Sequence, residues 1–499
     1  MPCTTILAGP KATEDGALYI SRNEDCSPDD AKRLVYHPAM KNAEGAVFRS
    51  FRNDFTWPLP PESLAYLSVS DSATDGASEG EAGFNEAGVG ITATETIFAS
   101  AASLAIDPYL PKTGVIEDSL EDSVLPFIHS AREGVLLLGK QVETAGAGEG
   151  CGVAFVDSKE IWWFETCSGH RWAAVRLPDD ACYVTANHAR LQEFDPEDTE
   201  NCLGSPDLIS FAEENGLWKT GVRPFNVRKA YVDENTARDT YYNFARNRVL
   251  LEKYCPSLRL KPEEDLTFPV FVKPESKLTL TSIASGLRNR YEGTDSDPYQ
   301  TDNPHTAWRP ISVFRCSQSH ILQLKPWLPL AVGAVTWVSW GMPSLGVFVP
   351  VFQGAKWFPK AYGIGTHDAD SVSAGWAFRK VQTLAMTDYR AFEPIVRRVW
   401  DAWEREAEER VNRIQIRYAA LVEKSAEEAD RFLQLESDRI LEDALTRARA
   451  LENELMTPSL SKYFLIANQE GTEKINGHPI SARKEKSNPR ENPFQGDYG

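Results

Sequence analysis

The chain reads as a layered α+β protein with a helical appendage toward its C-terminal end. Three observations predict this. Short strand-like runs recur between Gly, Pro and Asp turns through the first 375 residues. The helical stretches among them are grouped and do not alternate one-for-one with strands. Glycine is then absent from residues 381–455, where Glu, Arg, Ala and Leu dominate. Strands in runs with grouped helices favour α+β layering over a doubly wound parallel sheet.

The strand-like runs are Thr4–Leu7, Ala17–Ser21, Gly88–Thr94, Gly152–Val156, Ile161–Glu165, Trp172–Arg176 and Cys182–Thr185. Each is rich in β-branched or aromatic residues and bounded by turn formers. Asp157-Ser158-Lys159 and Ser168-Gly169-His170 join successive runs closely enough to predict an antiparallel meander. Helical stretches are predicted over Leu120–Ser130, Val135–Thr144 and Ala237–Lys253. Farther on, Phe392, Ile395, Val399 and Trp403, then Val411, Ile414, Tyr418 and Leu421, recur at helical spacing. The heptads are not strict enough for a coiled-coil rod. Residues 1–380 are therefore expected to form the main domain. Residues 381–456 form the appendage, packed on the core or on a partner subunit in a homo-oligomer. Residues 457–499 form a largely polar tail, expected to be disordered from about 468.

Composition narrows the function. Of 499 residues, 53 are Lys or Arg and 72 are Asp or Glu, a formal charge of −19. Such a surface repels nucleic acid and anionic membrane, so neither is an expected partner. The N-terminus lacks a basic region followed by a long apolar one, and the apolar stretch from Trp327 to Val351 is broken by Pro and Gly. Eight cysteines without a CxxC pair read as reduced thiols, which predicts a cytoplasmic protein. The scattered histidines form no HxxxH-type site, so no metal centre is expected.

Four segments hold residues that could carry chemistry. Cys3 stands two positions from the start, with Arg22 and Asp25 downstream. If Cys3 became the true N-terminus, one residue would hold both a thiol nucleophile and an amine of pKa about 7.7–8.0. An arginine can lower a thiol's pKa, and a carboxylate can hold a protonated amine. Asn85-Glu86-Ala87-Gly88 leads into a strand ending at Glu95, where a carboxylate could meet a cationic substrate group. Asn187 ends another strand and could donate to an oxyanion, though an Asx turn is the commoner use of such an Asn. His188 beside it is equally open, and nothing around a cysteine supports a papain-like pair. Arg246 and Arg248 follow on a predicted helix, and residue types alone do not decide which would face a site.

Together these segments resemble the dipeptidase A type of N-terminal-nucleophile cysteine peptidases, to which the secernins are related. The matches are Cys3-Thr4-Thr5-Ile6-Leu7, Ser21-Arg22-Asn23-Glu24-Asp25, Asn85-Glu86 through Thr94-Glu95, Gly169-His170-Arg171-Trp172, Ala186-Asn187, Ser319-His320-Ile321-Leu322-Gln323 and Trp337 through Pro343. The resemblance implies a four-layer αββα fold with Cys3 at the end of a central strand, and no metal or organic cofactor. By a wider likeness to bile-salt hydrolases and penicillin V acylases, it implies Arg22 and Asp25 beside the nucleophile and Asn187 as oxyanion donor. It also implies Arg248 as the further arginine, with Arg246 still open. Glu95 falls where the acylases place an amide; a carboxylate there would suit a peptidase that holds a substrate's α-ammonium. The activity implied is dipeptide hydrolysis through a thioester, after Met1 and Pro2 are removed by autocatalytic or peptidase trimming. The alternatives are an amidohydrolase of N-acyl amides and a non-catalytic, secernin-like interaction protein.

Overall fold

The computed structural model of the chain describes residues 3–72, 79–95, 97–232, 239–261, 268–299, 308–468, 474–475 and 478–479. The two main sheets use fifteen strands, numbered here in chain order. These begin with β1 (Cys3–Ala8), β2 (Leu18–Glu24), β3 (Arg33–His37), β4 (Tyr66–Ser70), β5 (Gly80–Asn85) and β6 (Gly90–Glu95). Next come β7 (Cys151–Val156), β8 (Ile161–Thr166), β9 (Trp172–Arg176), β10 (Cys182–Thr185) and β11 (Cys202–Gly204). The last are β12 (Phe271–Val272), β13 (Gln318–Leu324), β14 (Ala334–Trp340) and β15 (Val349–Phe352). One sheet has the order β12-β10-β1-β2-β13-β14-β15, and the other β11-β9-β8-β7-β6-β5-β4-β3. All the pairings in these two sheets are antiparallel. The predicted meander is β7-β8-β9.

Seven helices matter for the layering: α1 (Glu117–Val124), α2 (Ala131–Ala145), α3 (Ala245–Tyr254), α4 (Leu280–Leu287), α5 (Ala374–Met386), α6 (Tyr389–Val422) and α7 (Ala426–Asn468). Their starts follow from capping chemistry. Ser130, Thr279, Ser373 and Asp388 each accept a first-turn amide hydrogen with their side chains. At its other end α2 stops at Gly146, whose φ of +81° disfavours any residue with a Cβ.

Alternation along the strands sorts the apolar residues into three layers of core. Leu7, Leu18, Ile20 and Leu322 of the first sheet pack against Phe84, Ala154, Val156 and Trp163 of the second. Ile91, Val153, Phe155 and Phe164, on the outer face of the second sheet, meet Leu120, Val124, Val135 and Leu138 of α1 and α2. Ile6, Tyr19, Ile321 and Val338, on the outer face of the first sheet, meet Leu250, Ile283, Phe378, Trp400, Leu433 and Leu441. The order of layers is thus helix, sheet, sheet, helix, the αββα arrangement expected. The C-terminal helices belong to the outer layer: Tyr362 donates to the Leu441 carbonyl at 2.7 Å and Trp403 to Asp443 at 2.7 Å. The helix α7 continues through Asn468; most of the segment beyond it lies outside the described residues.

Polar side chains also cross the gap between the sheets. Thr5 and Thr94 hydroxyls meet at 2.8 Å, and His320 Nε2 meets the Thr92 hydroxyl at 2.8 Å. Burial, with Arg22 and Lys32 nearby, holds the His320 pKa well below the ordinary range, so the ring is neutral.

Candidate active site

Cys3 opens β1 in register with Glu24, while Thr5 is opposite Arg22. Residues two apart share a face, so the side chains of Cys3, Arg22 and Glu24 all point between the sheets. Cys3 is fully buried. Arg22 donates from Nη1 toward Cys3 Sγ at 3.6 Å and from Nη2 to Glu81 at 2.6 Å. The same Nη1 pairs with Glu117, at the start of α1, and Glu24 lies 3.7 Å from Nη2. Glu81 reaches Arg22 because of a bulge: Val69 pairs with Ala82 and Ser70 with Gly80, which leaves Glu81 as the extra residue. A second buried cation completes this nest. Lys32 pairs with Glu24 at 2.7 Å and Asp30 at 3.0 Å, and also with Asp71.

On the main-chain side of Cys3 the partners are different. Its backbone nitrogen donates to Asn187 Oδ1 at 3.1 Å, and its carbonyl accepts from Arg246 Nη1 at 2.6 Å. Arg246 also donates to the Thr4 hydroxyl at 2.9 Å, to Asn187 Oδ1 at 2.7 Å and to Asn243 Oδ1 at 3.0 Å. Asn243 and the Asn187 main chain bond reciprocally: Asn187 N donates to Asn243 Oδ1 at 3.1 Å, and Asn243 Nδ2 to the Asn187 carbonyl at 3.2 Å. Because a guanidinium can only donate, the Asn187 atom facing Arg246 must be the oxygen. The amide nitrogen is thereby turned toward the Glu95 carbonyl, to which it donates at 3.1 Å.

These surroundings set the electrostatics. Burial pushes the Cys3 thiol up to about 12, and Arg22 opposes that rise. Burial likewise lifts Glu117 to about 7 despite Arg22, with Glu149 and Asp118 adding to the rise. Across the site, burial and then Arg309 bring Arg246 down to about 9. Attack by the thiol therefore requires a base and a cation that stabilises the thiolate.

The structure brings Cys3, Arg22 and Asn187 together as expected. Asp25 is buried just past the end of β2 and pairs with Arg309. The further arginine needs a correction: Arg246, not Arg248, reaches Cys3. At 3.6 residues per turn the two point about 200° apart, so a single helix face cannot present both. Arg248 pairs with Glu252 at 3.4 Å and lies over the Trp308 ring at 4.6 Å. Glu95 ends β6 half-buried, its carbonyl on Asn187. His188 takes part in a contact with Asn247, 3.1 Å from its Nε2. Sequence reasoning assigned no role to Lys32, Glu81, Glu117, Asn243 or Arg309. Only Asn243 left a readable signal, since its spacing of three from Arg246 puts both on one helix face.

Among the described residues two groups have metal-ligand chemistry, Glu24 with Cys26 and Asp30, and Glu24 with Asp71 and Glu81. The Lys32 ammonium sits among both, 3.9 Å from Glu81, and supplies one positive charge to their carboxylates. What surrounds Cys3 suits acyl transfer: a thiol beside a fixed guanidinium, and a side-chain amide whose orientation is locked.

Three similarities bear on this arrangement. The model described as Peptidase family C69 matches residues 2–402. A protein of Salmonella dublin named "Probable dipeptidase" is 48% identical over 354 residues, 71% of this chain and 81% of its own. A Bifidobacterium longum protein named "Dipeptidase" is 33% identical over 426 residues, 80% of each chain.

Proposed function

Since the chain belongs to peptidase family C69, we propose that it is a cysteine dipeptidase with Cys3 as nucleophile. The observation that carries this reading is the placement of the Cys3 thiol 3.6 Å from Arg22, with its backbone nitrogen on Asn187. Removal of Met1 and Pro2 would free the Cys3 amine, which takes the thiol proton. The thiolate, paired with Arg22, attacks the carbonyl of the dipeptide bond. Asn187 Nδ2 donates to the oxyanion, and Arg246 keeps that amide turned the right way. The amine then delivers the proton to the leaving amino group, and water hydrolyses the thioester to release the N-terminal amino acid and regenerate the thiol.

Asp25, with Arg309, is assigned the balancing of charge beside the freed amine. Glu95 is assigned a place in the substrate-binding wall next to Asn187. Arg248 retains only an outer role through Trp308. None of the eight cysteines forms a disulfide in the structure, which supports a cytoplasmic location. No helix among the described residues is long and apolar enough to cross a membrane.

The test is intact-mass analysis joined to an assay. Protein beginning at Cys3 should hydrolyse L-alanyl-L-alanine, and protein retaining Pro2 should not. A chain that keeps Pro2 and is fully active would overturn the N-terminal mechanism. Inactivity of the trimmed chain toward every dipeptide would favour the non-catalytic reading.

A further inference from the structure

We propose that Glu117 is the residue that selects dipeptides with a free amino group, by binding the α-ammonium of their N-terminal residue. This rests on the dipeptidase reading above. The placement comes from Arg22, whose Nη1 touches both Cys3 Sγ, at 3.6 Å, and the Glu117 carboxylate. In a dipeptide the free amine is two bonds from the carbonyl carbon that the thiol must approach to about 3–3.5 Å. Its receptor must therefore adjoin the thiol, and Glu117 does.

The second observation concerns an atom. Glu117 is 2% exposed, and its Oε2 is buried without a hydrogen-bond partner. A buried carboxylate oxygen left unsatisfied costs free energy, which an incoming ammonium can recover. The nearby cations are committed: Arg22 is shared with Glu24 and Glu81, and Lys32 with Glu24, Asp30 and Asp71. Glu149 adds another carboxylate at this spot, accepting the Glu117 backbone N–H at 2.7 Å. The charged groups acting on Glu117 are thus Arg22 and the chain's N-terminal ammonium on the cationic side, and Cys3, Glu81, Glu149 and Asp118 on the other. The Cys3 nitrogen is directed to Asn187. Glu95 lies on the Asn187 side, where the carbonyl oxygen of the substrate would sit.

The titration of Glu117 near 7 gives the proposal a second readout. Its carboxylate forms as pH rises through about 7, while a peptide ammonium is lost above about 8. Affinity for free-amino dipeptides should peak between these values.

The experiment uses protein that begins at Cys3. Glu117→Gln should raise KM for L-alanyl-L-alanine by roughly 30-fold or more, the loss expected for an uncompensated buried ion pair. Turnover at saturation should stay within about threefold, and Glu117→Asp should recover part of the affinity. The loss in kcat/KM on N-acetyl-L-alanyl-L-alanine should be at least about tenfold smaller than that on L-alanyl-L-alanine. Equal losses on both substrates, or no loss on either, would overturn the proposal. If Glu117→Gln does not fold, the Cys3→Ala protein is titrated calorimetrically with L-alanyl-L-alanine and with its lactyl analogue, which carries hydroxyl for amine. A preference below about tenfold for the amine would overturn the proposal. Failure of the parent protein to hydrolyse any dipeptide would instead count against the dipeptidase reading, since the binding preference is measured without turnover.

Discussion

The two sides of Cys3 are built from opposite charges. On the thiol side, Glu24, Glu81 and Glu117 share Arg22, and burial lifts the carboxyl of Glu117 into the neutral range. On the main-chain side, Arg246 faces the Cys3 carbonyl and Arg309 pairs with Asp25, and burial pulls Arg246 down. The lesson lies in how each side is satisfied. The main-chain side is saturated with hydrogen bonds: both terminal nitrogens of Arg246 are engaged and Asn243 locks the backbone of Asn187. That rigidity suits a group that must hold an oxyanion donor still. The thiol side keeps a buried carboxylate oxygen without a partner, as suits a group that completes its contacts with a substrate.

The contrast can be broken at four points, from the largest expected effect to the smallest. Cys3→Ala removes the atom between the two sides and should lower dipeptide hydrolysis by roughly 10⁴-fold or more, with an unchanged circular dichroism spectrum; retained activity would end the assignment. Asn187→Ala should lower kcat by about 10²–10³-fold with a smaller change in KM, as read from steady-state kinetics. Arg246→Lys cannot reproduce the forked contacts to the Cys3 carbonyl and Asn187, so kcat should fall by roughly 10-fold or more. Arg248→Ala in the same assay should change kcat by less than about threefold, and the reverse ranking would restore Arg248 to the site.

A separate effect, on stability, concerns the thiol side alone. Burial raises Glu117 to about 7, and Asp118 and Asp122 to about 6, whereas unfolded carboxyls titrate near 4. Between these values the folded protein binds more protons, so stability falls as pH rises from about 4 to 7. The loss should be on the order of a few kcal/mol, read as a lower Tm at pH 8 than at pH 5.5. Glu117→Gln should flatten that slope.

Much of this site was legible in the sequence because it lies along strands. The runs around Cys3, Arg22 and Asn187 carry period-2 alternation and turn boundaries, so their strands could be read locally, whereas the roles proposed for these residues came from the family resemblance. Observed strands depart from the predicted runs by one to three residues, as at Cys3–Ala8 for Thr4–Leu7 and Leu18–Glu24 for Ala17–Ser21, because cross-strand bonds continue past the apolar core. Glu81 could not be read, because a bulge reverses the facing that alternation assigns to it. Glu117 and Arg309 meet their partners across 95 and 284 positions, a distance at which residue types give no pairing signal. Arg246 was resolvable in principle, since helical rotation separates it from Arg248 and joins it to Asn243.

The central position of β1 also sets the order in which the site comes into being. In synthesis Cys3 emerges well before Asn187, Arg246 and Arg309, which follow it far along the chain. At about 5–20 residues per second, roughly 15–60 s separate the emergence of Cys3 from that of Arg309. During that interval the nascent chain carries the thiol without the Asn187 oxyanion donor or the Arg246 that orients it. Synthesis order thus sets when the site can be assembled, a condition separate from the trimming that frees the Cys3 amine.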